Sequence, residues 1–331
     1  MSNIFKIGMQ HFAANAIAYP EVCQKFIDEE LEARSFSQWM VPNENEIEFT
    51  GGKDVKIAQL SVSGLGNYDA ANANSKYPSG SVKLAWSTYS MEMDRAIRFE
   101  LGRLDPEDTG FLATTENVTR TFARKQLVPE QDMFRYNRIY NALAASASYK
   151  DSHIKKLAAA ASAANLVAAV SELYTAVKED SGEDADFICV MSLKNEQAFR
   201  DASKNNNNSV VFNKTVTING ISYTKGMEIN GLPCIFVPSS RLKTLIKVND
   251  GRSTGQELGG IVADSTAEQI EFMIMSSDAP AACDKIDSLK IFPADKNQLG
   301  DETTINYHLL YDLWVLKSHI VTLAACVRSK T

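Results

Sequence analysis

The sequence predicts an α+β fold in which a long projecting hairpin is followed directly by a long helix, and three observations carry that reading. Two stretches, Val55 to Ser63 and Ser81 to Tyr89, have the period of two that a strand requires, the second alternating Val82, Leu84 and Trp86 with polar neighbours. From Thr114 to Ala147 apolar residues return every three to four positions, as on one face of a helix. Beyond Ala164 helical and strand patterns alternate, and the chain finishes in strands. The segment joining the hairpin arms is rich in Gly, Asn and Ser, which form turns and bury almost nothing locally. Such a tip needs a partner surface, and it points to a protein built to touch copies of itself.

Taken in order, the first 50 residues form a separate zone. Ala18 to Ala33 has helical spacing at Val22, Phe26 and Ile27, while Ser35 to Glu48 turns irregular through Pro42 and Asn43, so the zone reads as an arm with one helix. In the long helix Pro129 lacks an amide and clashes with the preceding turn unless it sits in the first one. A kink or a fresh helix is expected there, with Glu130 and Asp132 complementing the positive end of its dipole. Arg135 and Arg138 fall on the polar side, either as solvated or paired surface charges or as contacts between subunits. The Ala-rich run Leu157 to Val170 reads as helix packing closely through Ala, and a helix is expected over Ala164 to Glu179. A strand at Phe187 to Met191, a helix at Leu193 to Ser203, and strands at Val210 to Tyr223, Gly231 to Pro238 and Ile270 to Met275 follow. Lys204 to Ser209 cannot bury apolar surface and reads as an exposed loop; Asn249 to Gly260, rich in Gly, reads as a mobile connection. Near the end, Leu289 to Ala294, a polar turn, the apolar run Ile305 to Leu316 and a last strand His319 to Val327 suggest antiparallel pairing.

A chain of 331 residues with 44% apolar side chains can bury a substantial core, as one elaborate domain or two. Its net charge of -7 and pI near 5.3 argue against a dedicated nucleic-acid binder, which presents a basic face to phosphates. The same balance suits a wall that holds a polyanion without sticking to it, and suits an ordinary acidic protein equally. Cys23, Cys189, Cys234, Cys283 and Cys326 are scattered with no paired spacing and no flanking His, which speaks against zinc and against a disulfide scaffold and leaves small buried thiols. Met1 to Gln10 lacks the charged-then-apolar order of a signal peptide, and no apolar run approaches the ~18 residues that span a bilayer.

Three catalytic signatures are missing: no phosphate loop, zinc-protease pair or dinucleotide fingerprint occurs. The loop at Gly64 begins like the last of these but lacks the third Gly and a following helix. Two acidic groups, Asp105, Glu107 and Asp108, and Glu179, Asp180, Glu183 and Asp184, lack calcium-loop spacing and read as solvated patches. His308 and His319 fall in strand patterns and read as sheet residues.

An ordered series of segments carries a resemblance. V-K-I-A-Q-L-S-V-S-G-L-G-N-Y-D is followed by G-S-V-K-L-A-W-S-T-Y, by D-R-A-I-R-F-E-L-G-R-L-D-P-E-D-T and by V-P-E-Q-D-M-F-R-Y-N-R-I-Y, with L-K-I-F-P-A-D and Y-H-L-L-Y-D-L-W-V-L near the end. From Val55 onward the chain resembles the major capsid proteins of tailed bacteriophages and prophages, the Hong Kong 97 type of shell subunit. The resemblance implies an N-terminal arm (1–50), an extended hairpin loop (51–95), a peripheral domain with a spine helix (96–150 and 285–331) and an axial domain with a mixed sheet (151–284). It implies self-assembly into pentamers and hexamers of an icosahedral shell around double-stranded DNA held without sequence-specific contacts, with a portal and a separate scaffolding protein as partners. No cofactor, metal, membrane or enzymatic activity is implied, and the place is the virion capsid, assembled in the host bacterial cytoplasm. Candidate subunit-interface residues are Gly64, Gly66, Tyr68, Tyr77, Val82, Leu84, Trp86, Arg135 and Arg138. Some members of the family join a hairpin Lys to an Asn of a neighbour, and Lys76 and Asn297 are the residue types available here. An encapsulin-like bacterial nanocompartment, which shares the fold, and an enzyme with an unrecognised acid or His site are the alternatives.

Overall fold

A computed structural model describes residues 11–41, 47–68, 70–71, 77–102, 114–158, 163–182, 186–205, 210–297 and 300–330. The hairpin has the expected arms. Strands β2 (Asp54–Val62) and β3 (Val82–Ser90) pair antiparallel without a slip, from Val55 opposite Tyr89 to Val62 opposite Val82. A third strand, β1 (Ile47–Gly51), pairs with the base of β2 and begins at the end of the stretch expected to be irregular, Ser35 to Glu48. Before it, helix α1 (His11–Arg34) is longer than the predicted arm helix and runs into a turn of 3-10 helix over 38–41.

β4 (Met93–Gly102) follows the hairpin and leads towards the long helix, which is one continuous rod with a fault in it. Helix α2 (Thr115–Phe122) is capped by Thr114, whose hydroxyl accepts the Asn117 amide. Residues Ala123–Leu127 then wind as a π-turn before α3 (Val128–Ala144). Pro129 supplies the reason, because it cannot donate to the carbonyl four residues back. The Val128 amide instead reaches back five residues to the Ala123 carbonyl, and Pro129 sits in the first turn of α3. Where a kink or a fresh helix is expected at Pro129, the rod continues, its fault lying in the π-turn just before. Asp132 is accordingly not an exposed partner of a helix end: it is fully buried.

The remainder builds two sheets. In the first, β13 (Pro280–Phe292) and β14 (Glu302–Val315) form the antiparallel pair expected around the late polar turn, and β4 joins the far edge of β14. The second has seven strands in the order β5-β15-β12-β6-β9-β8-β7: β5 (Ile154–Leu157), β6 (Phe187–Ser192), β7 (Val210–Ile218), β8 (Ile221–Ile229), β9 (Leu232–Val237), β12 (Gln269–Ser276) and β15 (Ala324–Arg328). Helices α4 (Ala163–Ser181) and α5 (Glu196–Asn205) lie on one face of it, and a small hairpin, β10 (Ile246–Val248) with β11 (Ile261–Ala263), packs through Ile246 and Ile261 beside α3 and β14.

Several expectations are corrected. Leu157 ends a strand rather than opening the Ala-rich helix. Val210 to Tyr223 is two strands, because Asn219 and Gly220 both take positive φ (46° and 86°) and reverse the chain in the turn that suits a two-residue hairpin. Asn249 to Gly260 is the hydrogen-bonded loop of the β10–β11 hairpin, where Asp250 accepts the Arg252 and Ser253 amides at 2.8 Å each. His319 lies in the 3-10 turn Lys317–Thr322, and the last strand, β15, leaves β13 and β14 to pair with β12 and β5. Lys204 to Ser209 and the acidic group around Asp105 lie wholly or mostly outside the described residues.

Two apolar layers clasp the seven-stranded sheet. Leu166, Val170, Leu173 and Val177 of α4 cover Phe187, Cys189 and Met191 on one face. Tyr136, Ile139 and Leu143 of α3 cover Ile188 and Val190 on the other. β6 is buried on both faces, which is why its sequence is a continuous apolar run. The opposite side of α3, through Phe134, meets Tyr307, Leu309 and Tyr311 of β14, so the spine helix is the layer shared by both sheets. All five cysteines are free and buried, as expected.

Candidate assembly surfaces

The hairpin changes character along its length. At its base Val55 and Ile57 point into the molecule, Val55 packing with Met91, Ala281, Cys283 and Leu310. Because side chains alternate across a strand, the opposite face carries Val62, Val82, Leu84 and Trp86, with Val62 opposite Val82 and Leu84 and Trp86 opposite positions 60 and 58. That face is open: Val82 is 72% exposed, Leu84 59% and Trp86 50%. Arms of nine residues reach about 30 Å at ~3.3 Å per residue, so the distal half stands clear of the layer that holds its base.

The tip is shaped locally. Tyr68 and Tyr77, both exposed, meet edge to face with ring centroids 5.1 Å apart. Gly66 approaches the Pro78 ring so closely that a Cβ there would lie 2.6 Å from Pro78 Cγ, whereas a Cβ at Gly64 would meet open space. The Ser63 amide donates to the Ser81 carbonyl at 2.9 Å and the Ser81 amide to Ser63 Oγ at 2.9 Å, closing the arms below the tip.

Charges seat the base. Lys53, in the β1–β2 turn, pairs with Asp94 of β4 at 2.7 Å, and His308 of β14 reaches the same carboxylate at 2.6 Å. Those two hydrogen bonds, that of Lys53 first, hold the Asp94 carboxyl below its ordinary value. Asp312, fully buried beneath the hairpin's return, accepts the Glu92 amide at 2.9 Å and the Leu313 amide at 2.8 Å. Burial nevertheless pushes its carboxyl above the usual range.

Arg138 stands over this site, pairing with Glu92 and lying 3.5 Å from Asp312, with a third of its side chain exposed. Arg135 does not belong with it. Its side chain is fully buried, donates two bonds from Nη2 to Asp284 at 3.0 and 2.9 Å and one from Nη1 to Ser37 Oγ at 3.2 Å, so no second copy can reach it. The sequence missed this network. Ser35 and Ser37, in the strap after α1, donate to Asp132, which also pairs with Arg241, so one buried carboxylate ties the strap to the spine helix. Residues brought together across about a hundred positions leave no local signal. Lys76 lies outside the described residues; Asn297 Nδ2 donates to the Glu302 carbonyl at 2.9 Å.

A second apolar surface is a groove of about 420 Å³ between β4 and α2, lined by Ile97, Phe99, Val118, Phe122 and Leu258. Among the described residues no group of His, Cys, Asp or Glu is arranged to hold a metal ion, and no helix is long and apolar enough to cross a membrane.

No protein-family model and no curated protein matches the chain. Solved structures do. The capsid of Cyanophage P-SCSP1u matches with a TM-score of 0.57 at 12% identity, over 86% of this chain and 85% of that one. The asymmetric unit of the bacteriophage PhiM1 mature capsid matches at 0.54 and 13% identity, over 85% and 83%. A structure from Mycobacterium phage Che8 matches at 0.52 and 13% identity, over 83% and 85%. Sequence identity this low speaks for the fold alone, and the fold is the one expected: the chain has the Hong Kong 97 type of α+β architecture, shared with these phage structures.

Proposed function

We propose that the chain is the structural subunit of an icosahedral phage capsid, assembling with itself into pentamers and hexamers of a shell around double-stranded DNA. The observation that carries this reading is the unpartnered apolar face of the hairpin. Three large side chains, Val82, Leu84 and Trp86, stand on an arm whose base is fixed to its own core, so burial has to come from another molecule. Fully burying a large apolar side chain contributes ~1.5 to 3 kcal/mol, and a closed shell repeats that contact in every copy. The likeness to the capsids of Cyanophage P-SCSP1u and bacteriophage PhiM1 over more than four fifths of the molecule supports the same reading. In it residues 1–50 act as an arm, 51–95 as the extended hairpin, 96–150 with 285–323 as a peripheral domain, and 151–284 with β15, which pairs with β12 and β5, as an axial domain. The role is structural, without catalysis or cofactor. A portal and a separate scaffolding protein complete the set, and the shell forms in the host cytoplasm before becoming the virion capsid.

The test is assembly. Purified chain, alone and with its scaffold, is followed by analytical ultracentrifugation and negative-stain imaging. Capsomers or closed shells are expected. A compact monomer at high concentration under both conditions overturns the reading.

A further inference from the structure

One end of the seven-stranded sheet gathers basic side chains in an otherwise acidic chain. β15 and β6 both run antiparallel to β12, β5 runs parallel to β15 and β9 parallel to β6, so the C-terminal ends of β5, β15, β6 and β9 lie along one edge. Lys156 lies near the end of β5, Lys194 follows β6, Arg328 closes β15 and Lys330 comes just after it. Lys243 joins them by a bridge to Gln269 at the start of β12, its Nζ donating to Gln269 Oε1 at 2.8 Å.

The nearby carboxylates, Glu271, Glu268 and Asp264, neutralise this edge only in part, being three against the five basic side chains. Glu271 is buried and already accepts from Arg328 Nε and, at 2.6 Å, from Asn195 Nδ2. Glu268 pairs with Lys156 Nζ at 3.7 Å, and Asp264, within the field of Lys330, is bound to the amide and hydroxyl of Thr266. Lys330 reaches the Ser265 carbonyl, and Lys194 makes no hydrogen bond or ion pair among the described residues. Burial first, and then the fields of Lys194 and Lys330 against that of Glu271, hold the Lys243 ammonium below its ordinary value. The exposed aromatics among the described residues are Tyr68, Tyr77, Trp86 and Phe292, on the hairpin and β13, none of them here. Single strands are held by aromatic stacking, whereas point charges without it suit the backbone of a duplex.

We infer that this lysine-lined end of the seven-stranded sheet is a contact surface for the phosphate backbone of duplex DNA. The inference rests on the shell reading and adds to it that this end of each subunit faces the enclosed DNA. Contacts of this kind carry no sequence information.

The full chain is titrated with a random duplex of about 30 base pairs from ~0.05 to ~0.2 M salt, a range over which phosphate contacts weaken steeply. Beside it run Lys156→Gln/Lys194→Gln/Lys330→Gln and a control, Lys25→Gln/Lys125→Gln/Lys290→Gln, which removes equal charge elsewhere. The patch variant is expected to bind with a salt slope shallower by roughly two to three, at about 0.9 for each phosphate no longer neutralised, while the control keeps the parental slope. If the patch variant melts early, Lys194→Gln alone replaces it, with a slope change of about one. Equal slopes in patch and control variants overturn the inference, as does a parent that fails to bind at the lowest salt. So does polyglutamate displacing the duplex more readily than unlabelled duplex does, which would assign the surface to an acidic peptide. Sedimentation scores assembly separately. Patch-dependent duplex binding by a chain that forms no shell would sustain the DNA contact and sink the shell reading alone.

Discussion

Arg135 joins three parts of the molecule, since its guanidinium bonds Asp284 of β13 and Ser37 of the strap from within the spine helix. Replacing it by Met leaves a carboxylate and a hydroxyl without their donor, and breaking a buried pair from one side costs ~3 to 5 kcal/mol. Asp284 keeps some exposure, so a loss of about 3 kcal/mol in urea denaturation is expected for Arg135→Met, from the low end of that range. A loss below ~1 kcal/mol would mean the pair is dispensable. Asp312 gives a pH-dependent outcome. Its folded value lies above the unfolded one, so the folded state binds this proton more tightly than the unfolded chain does. The stability it contributes is complete below the ordinary carboxylate value of about 3.9 and is lost as pH rises through the raised value. Asp312→Asn should therefore gain on the parent as pH climbs from ~4 towards 7 in a denaturation series. A difference that stays flat across that range refutes it. Asp94 runs the other way, its contribution being present above the ordinary carboxylate value and lost as pH falls through the lowered one.

At the scale of elements the hairpin is the part whose folding and association separate. Trp86 is half exposed on an arm held by Val55 and Ile57, so Trp86→Ala should lower shell yield far more than it lowers the melting temperature of the unassembled subunit. Parallel losses in both measurements would make Trp86 ordinary core. Replacing residues 66–79 by a two-residue turn should leave the sheets and helices folded, by circular dichroism, while crippling the lattice. Unfolding of that variant would show that the tip supports a core. The arms were legible because a two-sided strand writes its period into the sequence. β1 was not, since a strand of five residues pairing only with the base of β2 has too few positions to show a period. The Asn219-Gly220 reversal did carry a signal, the Asn-Gly pair that two-residue hairpins favour, within a stretch read as a single strand.

For the whole molecule, the net charge of -7 means that subunits repel one another as they gather. Salt screens exposed charges beyond about 10 Å at ~0.1 M and leaves apolar burial intact, so shell formation followed by light scattering should increase from ~0.05 to ~0.5 M salt. A fall over that range would show that ionic contacts, rather than the hairpin's apolar face, hold the copies together.

By itself the sequence determined the α+β class, the hairpin with its outward Val82, Leu84 and Trp86, the buried thiols and the order of most strands and helices. Each of these is written in periodicity or composition over a few neighbouring residues. Only the tertiary structure decided that Arg135 is an internal hub rather than an interface, that Asp132 is a buried anchor for the strap, that β15 crosses to the seven-stranded sheet, and that lysines from four separate segments share one edge. The physical reason is common to all four. A charge on the polar side of a helix reads the same whether water or a distant partner faces it, and partners about a hundred or more residues away are chosen by packing, which no local pattern records.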